Sequence, residues 1–447
     1  MALTTWTGDG SNNLWTNANN WDNGAPTDAV DVIIPDCTAL DVPLLESTVE
    51  CFSLTMLAGA DINGGSGYTI EIHGEADGTG DTQAGYCIWV RGKFTNSVDI
   101  EILAGSSTNC SVTPSDSSKI RNLKVNESTV LFYTIDSLSL SGDLTVSAGT
   151  FDAQTTTLTV DKTVKIEGGT LKCNDSTISF GQQILSSASY GLHLTSGTFN
   201  GGSGTHTISQ FYQTGGTCTL TSDTTTMNGY NTSGGFSFKK EGGTFTQTAG
   251  TVDMTNASAG VIQLTSNPTF FNLTLSGGTV LSVYNWDSTR TINVAGNLII
   301  SAGTTFNTQY QALAANILNV TGQATLNGKL EAHDSTDGTV SDEKDLSFGS
   351  LLIESGGEYS ATSGVTEITS GAHSGTWGFK NGGTYTHNKG TIKVTSTETK
   401  THLQAYYFYN VTIVSGDSSD IVAYRDGGLP AGTSGEITIL GNLTIEE

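Results

Sequence analysis

The chain has 447 residues, only 14% of them charged, and Asp+Glu 43 against Lys+Arg 18 gives a formal net charge of −25. Phosphate recognition needs clustered Lys and Arg, so nucleic-acid binding is disfavoured, and the first Arg is Arg91. No run of roughly 18 apolar residues occurs, so no membrane insertion is expected, and the 36% hydrophobic residues fall in alternating positions that argue against disorder.

Residues 5–35 read TWTGDGSNNLWTNANNWDNGAPTDAVDVIIP. Trp6, Trp15 and Trp21 have two readings here: they fill a cap that shields the first coil of a solenoid, or they form an aromatic platform for sugar rings. The opening MALTTWTGDGSNN has neither a basic nor an apolar segment of the kind a secretory signal needs. Residues 1–50 are therefore taken as an N-terminal Trp-rich cap. Regular alternation starts at Cys51-Phe52-Ser53-Leu54-Thr55-Met56 and continues through 68–72 and 86–90, so residues 51–118 are taken as the first coils. His73 leads into a polar loop, GEADGTGDTQAG. None of the six cysteines forms C-x-x-C or has His at metal spacing. A Cys37–Cys51 disulfide across neighbouring strands is one reading, and small buried ladder residues the other.

From residue 119 a long unit repeats. An Asn opens an alternating run at Asn122-Leu123-Lys124-Val125, Asn272-Leu273-Thr274-Leu275 and Asn410-Val411-Thr412-Ile413. A second mark, Gly followed by Asp or Asn and then Leu, occurs at Gly142, Gly296 and Gly441. The Asn spacings are 272−122 = 150 and 410−272 = 138, and the Gly spacings 296−142 = 154 and 441−296 = 145, so the two marks keep step. Gly242 and Gly382, in FKKEGGTFT and FKNGGTYT, are in the same register. The units are 119–271, 272–409 and an incomplete 410–447, whose last coil would present an open, pairable edge.

Alternation puts Leu, Val and Ile on one face and Thr or Lys on the other, which is a strand pattern. Short strands recur between GG, SG, AG and NG turns every roughly 15 to 25 residues, the size of one coil of a parallel β-helix. Tight corners account for 55 glycines. The fold class is therefore all-β, a right-handed parallel β-helix of about 20 coils and on the order of 100 Å if the layers are about 4.8 Å apart.

Three clusters carry candidate chemistry. In EAHDSTDGTVSDEKD, Asp334, Asp337, Asp342 and Asp345 offer oxygens to Ca2+, although the spacing matches no known calcium loop and a solvated insertion is the alternative. In the run 406–409, alternation turns some rings outward, and Tyr407 and Tyr409 join the three tryptophans as glycan-contact candidates, against core packing or self-association. Neighbouring coils could bring outward carboxylates within glycosidase distance, but no pair stands out and no catalytic motif is present, so no enzyme is expected.

Trp6-x-Gly8, Trp15, Asn20-Trp21, Gly24-x-Pro26, Asp28 and Asp31-Val32 together resemble the leader of many large β-helical surface and virion proteins. These include autotransporter-passenger adhesins and phage tail-fibre or tailspike relatives, and the Asn-Leu-Thr-Leu and Gly-Asn-Leu runs resemble the same group. The resemblance implies a β-helix on a virion surface or outside the cell, and it carries no catalytic residues. The resulting expectation is a structural, adhesive phage fibre or spike arm that contacts host surface glycans and associates with itself or with other virion proteins. The alternatives are a bacterial surface adhesin whose signal has been removed and a polysaccharide depolymerase.

Overall fold

The computed structural model describes residues 2–82, 84–103, 109–112, 120–181, 190–229, 236–255, 260–278, 280–284, 289–308, 316–332, 345–370, 377–396, 400–405, 407–414, 420–424 and 438–446, with backbone alone at 109–112, 400 and 420–424. The chain forms two compact units, Met1–Asp223 and Thr224–Glu447, both built as parallel β-helix.

In the first unit each regular coil contributes three short strands. One coil runs Leu138–Leu140, Leu144–Val146, Thr150–Asp152, and the next runs Thr157–Val160, Val164–Ile166, Thr170–Lys172. Each strand pairs in parallel with its counterpart one coil on, as in Leu144↔Val164↔Leu192↔Phe211. Strands such as Leu144–Val146 bury their first and third side chains, while Thr170–Lys172 buries its middle one, and the register stacks these inward residues into columns. Phe132, Phe151, Leu171, Phe199 and Cys218 form one such column, and all five are fully buried. Coils advance by 164−144 = 20, 192−164 = 28 and 211−192 = 19 residues. The ladders stay in register although the coils differ in length.

The N-terminal segment joins this scheme directly. Ala2–Thr5 pairs with Val30–Ile34, which pairs with Ser53–Met56 and then Ile88–Val90, all in parallel. Asp31 is buried within it, with Ser53 Oγ donating to its Oδ1 at 2.6 Å.

In the second unit two of the three ladders run together. Ile317–Leu326 turns the corner as a single ten-residue strand, and pairs with both Thr291–Val294 and Leu298–Ile300. Leu346–Ile353 does the same one coil later. The third ladder runs through Val280–Tyr284, Thr305–Asn307, Lys329–Glu331, Glu358–Ser360 and Thr384–Thr386. Leu443–Glu446 pairs with Asn410–Val414, and its Leu443 and Ile445 are exposed.

The two sequence marks turn out to be halves of one contact. Asn122 Oδ1 accepts from the N–H of Asp143, Asn272 Oδ1 from Asn297, and Asn410 Oδ1 from Asn442, at 2.8, 2.8 and 3.0 Å. The acceptor comes so close that a methyl group on Gly142, Gly296 or Gly441 would lie 2.2, 2.4 or 2.5 Å from it. Only glycine leaves the Asn side chain room to reach the next coil. Asn297 repeats the contact, accepting from Gln323 beyond Gly322 at 2.9 Å.

Candidate functional site

The three cap tryptophans are core residues. Trp6, Trp15 and Trp21 are 1, 2 and 5% exposed, and Trp21 packs edge-on against both of the others. Trp6 Nε1 donates to Asp41 O at 2.7 Å and Trp21 Nε1 to Trp15 O at 2.8 Å. Buried rings offer no face to a sugar, so the platform reading is set aside and the three rings are core packing.

The disulfide reading is corrected as well. Cys37 and Cys51 are both free. Cys51 points into the core in register with Ile72, whereas Cys37 Sγ lies in a corner, 3.4 Å from Pro35 O and 3.8 Å from Asp61 O. Burial raises both thiol pKa values, which favours the unreactive thiol form. Of the calcium candidates, Asp334, Asp337 and Asp342 lie outside the described residues. Asp345 is exposed and accepts the N–H of Val365 at 2.8 Å.

Outward rings occur elsewhere. Phe408 is buried while Tyr407 is 57% exposed, as alternation requires, and Tyr409 is half-buried and stacks on His387 at 5.4 Å. In the first unit, Lys165, His193 and Tyr212 occupy one outward row on successive coils. The His193 and Tyr212 rings stack at 4.7 Å and 9°, and Tyr190 leans on both at 5.2 and 5.1 Å. That stacking distance is about the coil spacing, so two rings in register on one outward row come within contact of each other. In the second unit, Trp377 and His402 are likewise in register and meet edge-on at 5.1 Å. Trp89 stands half-exposed under the Arg91 guanidinium, 4.5 Å from its ring centre.

An outward ring such as His193 sits between two inward apolar neighbours, in Leu192-His193-Leu194, so its direction is readable from sequence. The residues it meets on the next coil are not, because they depend on coils of unequal length.

Several outward charges of the first unit are paired across coils. Arg121 binds Asp99 through two nitrogens at 2.8 and 2.7 Å, Lys124 binds Glu101 at 2.8 Å, and Lys165 binds Asp143 at 2.7 Å. One group departs from that pattern: Glu50, Glu71 and His73 each place a ligand-type atom within 4.8 Å of the others. Glu50 and Glu71 also line a cleft of about 340 Å3 with Trp15, Pro26, Thr48 and Val49. Among the described residues no helix is long and apolar enough to cross a membrane. No family model matches this chain, and no curated protein or solved structure matches it.

Proposed function

We propose that this chain is a structural and adhesive protein of a phage particle, a fibre or spike component whose β-helical coils present aromatic rings to host surface glycans. The observation that carries the adhesive part is the recurrence of half-exposed ring pairs: His193 with Tyr212 and Trp377 with His402 on outward rows, and Tyr409 with His387 between strands. A half-exposed ring offers apolar contact to the C–H groups of a sugar, and neighbouring Thr, Ser and Asn side chains offer hydrogen bonds to its hydroxyls. Each such contact is weak. Several on one protein, or on a homo-oligomer, would add through avidity. The virion assignment rests on the leader resemblance together with the β-helical architecture.

The test is retention on immobilised host-surface polysaccharide, comparing the native protein with Tyr212→Ala and Trp377→Ala. Removing one ring should weaken binding by about 2- to 10-fold, the value of an aromatic contact, without changing the circular dichroism spectrum. Absence of retention on every host polysaccharide tried would remove the adhesive reading.

A further inference from the structure

We infer that Glu50, Glu71 and His73 form a binding site for a divalent transition-metal ion, best matched by Zn2+, which clamps two neighbouring coils together. Val49–Cys51 and Thr69–Ile72 pair in parallel with Glu50 directly opposite Glu71. Like charges in register repel and weaken a ladder. Elsewhere on this face the ladder relieves that problem with a cation on a neighbouring strand. The next acid in the same row, Glu101, is in register with Glu71, and it is held by Lys124 Nζ at 2.8 Å and Asn126 Nδ2 at 2.9 Å. Among the described residues, no Lys or Arg pairs with Glu50 or Glu71.

His73 adds a nitrogen to the two carboxylates. Its Nε2 is buried and makes no hydrogen bond, although it points at Glu50 Oε2 from 3.6 Å. That distance is too long for a hydrogen bond and too short to leave the nitrogen solvated. An imidazole nitrogen that makes no hydrogen bond, beside two carboxylates that no described Lys or Arg neutralises, is the donor set of a metal site.

The donor chemistry selects the ion. One imidazole nitrogen with two carboxylates suits Zn2+ and its first-row neighbours, whereas Ca2+ takes six to eight oxygens and does not favour nitrogen. The adjoining cleft leaves room for water or a small ligand to complete the coordination. Because the ligands come from two coils, an ion held here binds the folded chain and not the unfolded one, so it stabilises the fold.

The experiment strips the full chain with a chelator, removes the chelator, and titrates it with Zn2+ by calorimetry while following the melting temperature. The expected result is one tight zinc equivalent with a rise in melting temperature. His73→Ala and Glu71→Gln should each lose that equivalent and that rise while melting cooperatively without zinc. Glu71→Gln should also melt higher than the native protein when both are metal-free, because it removes the facing charge. No tight zinc uptake by the native protein would overturn the inference. So would uptake that survives both substitutions, or Ca2+ displacing Zn2+ from the tight site at equal concentration.

Discussion

His206 shows what a single residue contributes when register places it against type. It lies at the start of His206–Ile208, in register with Ile178, and is fully buried against Phe199. Burial pushes its imidazole pKa down from 6.5 to about 4, against smaller opposing pulls from the Gly201 backbone and Asp223. The unfolded chain takes up the proton near pH 6.5 and the folded chain only near 4, so the contribution to stability is complete above 6.5 and is lost as pH falls towards 4. A shift of that size corresponds to about 3 kcal/mol. Denaturant midpoints measured from pH 7.5 down to 4.5 should fall for the native chain, and His206→Leu should flatten part of that fall. Equal slopes in the two proteins would contradict this assignment. The alternation His206-Thr207-Ile208 marks the residue as inward in sequence, but nothing in sequence marks it as a buried base. Glu50, Glu71 and His73 were illegible for a related reason: their meeting depends on which residue of one coil lies opposite which residue of the next.

At the scale of the strand and its neighbours, the Asn and Gly marks were legible as a repeat, but their purpose was not. They lie about 20 to 30 residues apart in sequence and meet only through the pairing of successive coils, as 142−122 = 20, 296−272 = 24 and 441−410 = 31 show. A double-mutant cycle tests the contact. Asn272→Ala removes the acceptor of the Asn297 N–H and should cost about 1 kcal/mol. Gly296→Ala brings a methyl against Asn272 Oδ1 and should cost about 1–3 kcal/mol. The double substitution should cost less than the sum, because the shortened side chain at position 272 leaves room for the methyl. Strict additivity in urea melts would mean that Asn272 and Gly296 act separately. The strand pattern itself was legible: Leu123 and Val125 are buried and Lys124 faces outward, as the alternation requires. Corner lengths were not, because a corner can grow from one coil to the next without disturbing the ladder.

Across the whole chain, the low charge density and the outward Thr, Ser and Asn rows on parallel ladders fit the proposed role, in which many weak contacts add together. The proposed adhesive role draws on the outward ring pairs of both units and needs neither a sugar-binding cap nor a Cys37–Cys51 bridge. The most direct measurement is cryo-electron microscopy of the particles that carry this chain, labelled with antibody fragments raised against it. The virion reading expects label and β-helical density on the outer surface of phage particles. Label confined to the envelope of uninfected cells would contradict it and leave the bacterial adhesin in its place.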